Sequence, residues 1–263
     1  MNDFEFLQIE RRSHWATLWL NRPQRHNALH TGLIAELQRA VDLLSHEPAV
    51  RVIVLGGRGN SFCAGGDLDW MREQASQPFD LNLEEARRLA RTIRSLALCP
   101  KPTLARVHGA ALGGGMGLVA ACDMAIASRN ATFGTTETRL GLTPSVIALY
   151  VLQAIGERAA RRCFLTGARL DAAEALRLGL VQEVVEAAEL DQRIDATLQS
   201  ICLGGPQAQA HCKWLLAELR GRDPALETTI DETANSLATV RAGDEAREGI
   251  DAFFSRRKPS WAP

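Results

Sequence analysis

The sequence predicts an α/β fold, with strands interleaved with helices in a repeated ββα-type core and a helical C-terminal third. Three observations carry this expectation. Strand, helix and strand alternate over residues 15–55; two glycine-rich loops, at 56–67 and 109–115, each lead from a strand into a helix; and from Ser145 onward helical spacing dominates, with only Leu180 to Val185 extended. At 263 residues and 46% hydrophobic content the chain can bury a full core. Its 30 basic and 31 acidic residues give a formal net charge of -1, so no global field is present to hold nucleic acid or an anionic membrane. No apolar run approaches the roughly 20 residues of a membrane span, and Met1-Asn2-Asp3-Phe4-Glu5 is too acidic for an export signal, so a cytoplasmic protein is expected.

Trp15 to Leu20 reads as a strand from its bulky and β-branched content, and Asn21-Arg22-Pro23 stops it. From Thr31, placed as an N-cap, Leu33, Ile34, Leu37, Val41 and Leu44 recur at helical spacing as far as Pro48. Val50 to Leu55 returns to strand, and two such strands in one sheet imply a right-handed crossover through the helix. The loop that follows, Gly56 to Gly66, ends at Asp67, where a carboxylate caps or charges the first turn of a helix. Gln74 to Asn82 is polar and contains a proline, which predicts a mobile surface loop before a helix from about Leu83 to Leu98.

The segment Pro102 to Asp123 is the centre of the pattern. An apolar run ending at Val107 reads as a buried strand; Gly109 and the triplet Gly113-Gly114-Gly115 then open a helix of small residues. The first turn of such a helix has N–H groups without intrahelical partners and a partly positive end, which favours an anion. Glycine there either brings a ligand oxygen up to the backbone or only permits tight helix–strand packing. Asp123 to Ala127 is a further strand, and the polar loop 131–144 carries one carboxylate, Glu137. Helical patterns follow at Ile147 to Ile155, Ala159 to Leu165, Ala172 to Leu178, Leu190 to Cys202, Pro206 to Leu219 and Glu227 to Thr239, with a last one at about Asp244 to Phe254. Phe253-Phe254 before the basic run ending at Lys258 fits either a docked terminal helix or an apolar wall beside an anion contact. The six cysteines include no C-x-x-C pair, so neither a disulfide frame nor a metal site is indicated.

With both glycine loops in view, the chain resembles the enoyl-CoA hydratase/isomerase (crotonase) superfamily over nearly its whole length. The matching pieces are Asn21-Arg22-Pro23 with Asn27-Ala28-Leu29, Phe62 to Leu68, Gly109 to Asp123, Glu137 with Leu140-Gly141-Leu142 and Pro144, Leu165-Thr166-Gly167, and Ala175 through Val181. The resemblance implies a ββα superhelical core over 1–200 and a C-terminal helical region, 201–263, used in trimer contacts, often within a dimer of trimers. It implies an acyl-CoA substrate, with coenzyme A part of the substrate and no separate cofactor. Gly66 and Gly114 would supply the N–H pair for the thioester oxyanion, and Glu137 the acid–base group. Arg25, Ala28, Ala64, Gly65, Gly66, Asp67, Leu68, Gly114, Gly117, Phe253 and Lys258 would line the substrate, with Arg25, Arg58 and Lys258 the phosphate candidates.

In two-glutamate hydratases of this superfamily a second glutamate stands three residues after the oxyanion glycine; here that position is Gly117. Residues 114 and 117 share a helix face, so a hydrogen at 117 is expected to leave a space of about one side chain for a β-branch or a catalytic water. A single carboxylate serves either hydration or double-bond isomerisation. Asp67 to Met71, Gly117 to Ile126 and Ile155 to Arg162 are similar to bacterial hydratases of branched glutaconyl-CoA thioesters, of the 3-methylglutaconyl-CoA or isohexenylglutaconyl-CoA type. A non-catalytic acyl-CoA-binding protein of the same fold is the alternative from another class.

Overall fold

The computed structural model describes residues 4–262. Its strands are β1 (Leu7–Arg11), β2 (Trp15–Leu20), β3 (Val52–Gly57), β4 (Thr103–Val107), β5 (Ala110–Leu112), β6 (Met124–Ser128), β7 (Thr132–Gly134), β8 (Arg169–Asp171) and β9 (Glu183–Val185). The helices are α1 (Thr31–His46), α2 (Leu68–Ala75), α3 (Phe79–Ala97), α4 (Gly114–Ala121), α5 (Ala148–Thr166), α6 (Ala172–Leu178), α7 (Leu190–Cys202), α8 (Pro206–Glu218), α9 (Glu227–Ala242) and α10 (Asp244–Phe254). A six-stranded sheet runs β1-β2-β3-β4-β6-β9, antiparallel only between β1 and β2; a three-stranded sheet runs β5-β7-β8.

Strand β3 is buried at every position because helices cover both faces of the sheet, which is why it reads as an uninterrupted apolar run. On one face α1 buries Leu33, Ile34, Leu37, Val41 and Leu44; on the other, Leu190, Ile194 and Leu198 of α7 meet Val52, Val54, Leu104 and Ile126. Helix α4 is apolar all round and packs against α3, α5 and the strands, a core helix rather than an amphipathic surface one. No helix among the described residues is long and apolar enough to cross a membrane.

Several expectations shift at the element level. The cap of α1 is His30, whose Nδ1 accepts from the Gly32 N–H at 3.2 Å, while the Thr31 hydroxyl donates to Glu85 Oε2 at 2.7 Å. The expected loop Gln74 to Asn82 is largely helical: α2 runs to Ala75 and α3 begins at Phe79, directly after Pro78, whose extended backbone separates the two helices and whose carbonyl accepts from the Asn82 N–H at 3.1 Å. The two expected helices between Ile147 and Leu165 are one element interrupted at Gly156, which takes φ +74°. Leu180 to Val185 is extended only over β9. Strands β5, β7 and β8, each of three residues, are too short to show a period in sequence, and β1 carries charges at a sheet edge.

Candidate active site

The two glycine loops lie side by side. The Cys63 N–H donates to Ala110 O and the Leu112 N–H to Cys63 O, both at 2.9 Å, so Cys63 pairs with Ala111 in a parallel bridge. Two residues beyond that pair Gly65 still faces Gly113, a Cβ on Gly113 falling 3.6 Å from Gly65 Cα, and the next residue on each side is Gly66 or Gly114. Gly65, at φ +101°, allows the approach: a Cβ there would stand 3.1 Å from Leu112 O. Leu29 fastens the other side, its N–H donating to Gly65 O at 2.7 Å and its carbonyl accepting from Asp67 at 2.8 Å. Among the described residues the N–H groups of Gly66 and Gly114 have no hydrogen-bond partner, and Gly114 opens α4. Two free donors beside a helix N-terminus form a site for an oxyanion.

Glu137 reaches the same place from a 3₁₀ turn, Glu137–Leu140, closed by Gly141 at φ +71° and by the Leu142 N–H donating to Glu137 O at 3.0 Å. Its Oε1 lies 3.0 Å from where a Cβ on Gly113 would be, so a side chain at 113 would crowd the carboxyl. Its Oε2 is buried without a partner. Burial pushes this carboxyl above the ordinary glutamate range, the direction that suits a group accepting and returning a proton near neutrality.

A family model described as enoyl-CoA hydratase/isomerase matches residues 10–263. The chain belongs to the enoyl-CoA hydratase/isomerase family. It is 31% identical to a crotonyl-CoA hydratase of Syntrophomonas wolfei over 98% of both chains. It is also 34% identical to a mevalonyl-coenzyme A hydratase of Aspergillus fumigatus over 95% of this chain and 92% of that one. The crystal structure of an enoyl-CoA hydratase from Shewanella pealeana superposes with a TM-score of 0.95 at 37% identity, covering 98% of this chain and 96% of the other.

Against this family pattern, the expectation for position 117 needs correction. The space over Gly117 is filled: a Cβ there would lie 2.6 Å from Ile147 Cβ and nearer still to its Cγ2, and Ile147 is only 2% exposed. No room remains for a branch or a water where the glycine alone pointed to one. Asp67 caps α2 through Oδ1, which accepts from Asp69 N–H at 3.0 Å, while Arg22 holds its Oδ2 at 3.0 Å, so its carboxylate is committed to the loop. Ala28 is buried, and its carbonyl accepts from Arg22 at 2.6 Å; the Ala64 N–H donates to His26 O at 3.0 Å. Leu68 is exposed and Arg25 pairs with Asp69 at 3.1 Å, both on the outer rim of the loop. Arg58 stacks over Trp19 at 4.2 Å and pairs with Glu10, which engages it on the sheet. Phe253 is exposed on α10, and Lys258 follows that helix; this region packs on α8 and α9 rather than on the loops bearing Gly66, Gly114 and Glu137.

Two further residues build the site. Asn27, fully buried at φ +56°, accepts from Arg22 N–H at 2.9 Å and donates to Arg58 O at 2.9 Å and Ser61 O at 2.7 Å, locking the 21–29 turn to the first glycine loop. Leu29 Cδ1 lies 2.6 Å from where a Cβ on Gly114 would be, so Leu29 backs both donor glycines.

Proposed function

We propose that the protein hydrates the α,β double bond of an acyl-CoA. The observation that carries the reading is the buried, unpartnered Glu137 Oε2 placed beside the start of α4 in a loop pair with two free N–H groups. Glu137 takes a proton from water as the water oxygen bonds to the β-carbon and the double-bond electrons move onto the thioester oxygen, where the Gly66 and Gly114 N–H donors meet the charge. Glu137 then returns that proton to the α-carbon as the enolate collapses. Arg25, Ala28 and the 64–68 loop flank the coenzyme A moiety in this reading, and Phe253 and Lys258, which stand away from those loops within one chain, would meet it only through the proposed assembly of chains. No cofactor beyond the substrate's own coenzyme A is invoked. Double-bond isomerisation is the second reading, because one carboxylate can also carry a proton between the α- and γ-carbons. A binding-only protein is disfavoured by the cost of keeping an unpaired carboxyl in a closed site.

The finer assignment, a branched glutaconyl-CoA thioester of the 3-methylglutaconyl or isohexenylglutaconyl type, rests on the resemblance of residues 67–71, 117–126 and 155–162 and draws no support from a cavity at Gly117. The similarity to a hydratase named for mevalonyl-CoA is compatible with a substituted acyl chain. We further place the enzyme in the cytoplasm as a homo-oligomer, a trimer or a dimer of trimers, assembled through the helical region 201–263. The test is to incubate purified protein with crotonyl-CoA and 3-methylglutaconyl-CoA and to weigh the products. A gain of one water supports hydration, an unchanged mass with a shifted double bond supports isomerisation, and unaltered substrate defeats both. Faster turnover of crotonyl-CoA would remove the branched assignment.

A further inference from the structure

Helix α4 and the residue that caps it present Gly113 and Gly117 about one turn apart on a single face, spaced by about 6 Å along the axis and joined by the Gly117 N–H donating to Gly113 O at 3.1 Å. Each is covered by a side chain from the same downstream segment. Glu137 Oε1 lies against Gly113, and the branched end of Ile147 lies against Gly117. Between the two, the chain is fixed by the 3₁₀ turn at 137–140 and by the Ile147 N–H donating to Pro144 O at 3.2 Å. Carboxyl and hydrocarbon therefore stand next to each other along the helix, and any side chain at 117 would have to displace the hydrocarbon.

We propose that Ile147 is a positioning residue for Glu137: seated in the gap that Gly117 leaves, it holds the carboxylate-bearing segment against α4 and closes in hydrocarbon the place where a second carboxylate would stand. The inference rests on the acid–base role given to Glu137 above. It accounts for the chemical state of that carboxyl, which burial alone pushes up. Charged neighbours do not compete for it. Arg139, on its own turn, lies against Gly167; α4 carries no charged residue; the first glycine loop brings Asp67, already held by Arg22, and Cys63, whose thiol burial pushes up to about 12. Helix α5 brings Tyr150, a weak acid also raised by burial, and α3 brings Arg94 toward that tyrosine.

The experiment compares Ile147→Val, which keeps the Cγ2 branch, with Ile147→Ala, which removes it. Ile147→Ala should admit water to Glu137, move the acid limb of the pH–kcat profile to lower pH and reduce kcat by roughly tenfold or more with a smaller change in KM. Ile147→Val should stay near the parent in all three. In parallel, Gly117→Ala should lower Tm and Gly117→Ala/Ile147→Ala should recover it, as expected of two positions sharing one volume. The titration midpoint of the Glu137 carboxyl, followed by carbon NMR in parent and Ile147→Ala, reads the proposal even if the parent hydrates nothing. That separates a failure of the proposed function from a failure here. An unmoved midpoint, or Gly117→Ala as stable as the parent, overturns the inference.

Discussion

Glu137→Gln separates two consequences of burying a carboxyl. Turnover should fall by about 10²–10⁴-fold, the usual worth of a positioned acid–base group, while acyl-CoA affinity by calorimetry stays near that of the parent. Stability should move the other way. The folded carboxyl titrates above its unfolded value, so the folded state binds the proton more tightly; its contribution is full below the unfolded pKa and is lost as pH rises through the folded one. Glutamine, always neutral, escapes that loss, so the variant should melt higher than the parent above the raised pKa and the difference should vanish in acid. A variant that is inactive and also less stable at neutral pH would place Glu137 among the structural residues. Gly114 allows a similar separation. Alanine and proline there both bring a Cβ onto the Leu29 terminus, but only proline removes the N–H, and the first helical position accepts its ring. Folded Gly114→Pro should lose about 10²–10³ in kcat relative to Gly114→Ala; equal rates would exclude this N–H from the oxyanion site.

At the scale of elements, the loop into α2 is stabilised by Asp67. Burial pushes its carboxyl up, but the Arg22 guanidinium and the N–H groups of Trp70 and Asp69 outweigh that and hold it below the ordinary aspartate range. Asp67→Ala should cost about 0.5–2 kcal/mol from the lost cap, with more from stranding Arg22. Because the folded pKa is depressed, that stabilisation is present above the unfolded value and fades as pH falls through the folded one, so urea melts of parent and variant should converge in strong acid. Elements of this kind were legible beforehand, since capping aspartates, apolar buried strands and glycine-rich entries into helices are local patterns. Glu137 was legible because it sits in a recognisable order of motifs. Ile147 was not. A helical glycine read alone implies room, and whether a side chain thirty residues away fills that room is decided by how α5 packs on α4. Asn27 was visible only as part of a resemblance, because its three hydrogen bonds reach a loop that the fold, not the sequence spacing, brings alongside.

At the scale of the whole molecule, the C-terminal helices leave Leu216, Leu237, Ile250 and Phe253 exposed, apolar side chains that the proposed assembly would cover. Light scattering should therefore return the mass of three or six chains; a monomer at micromolar concentration would remove the assembly proposal. One long-range tie sets a different constraint. Arg51, just before β3, donates to Gly204 O at 2.5 Å and to Trp261 O at 3.1 Å, while Trp261 Nε1 donates to Leu203 O at 3.1 Å. The partners are 210 residues apart, among the most distant contacts a chain of this length can make. A ribosome makes Arg51 some 210 residues before its last acceptor, Trp261, so the growing chain carries an unfinished polar junction over that whole interval. The junction closes only once residue 261 has emerged. Stopping translation after Lys258 should accordingly leave catalysis per folded molecule intact but lower the soluble yield and slow refolding from urea, a fault of timing rather than of chemistry.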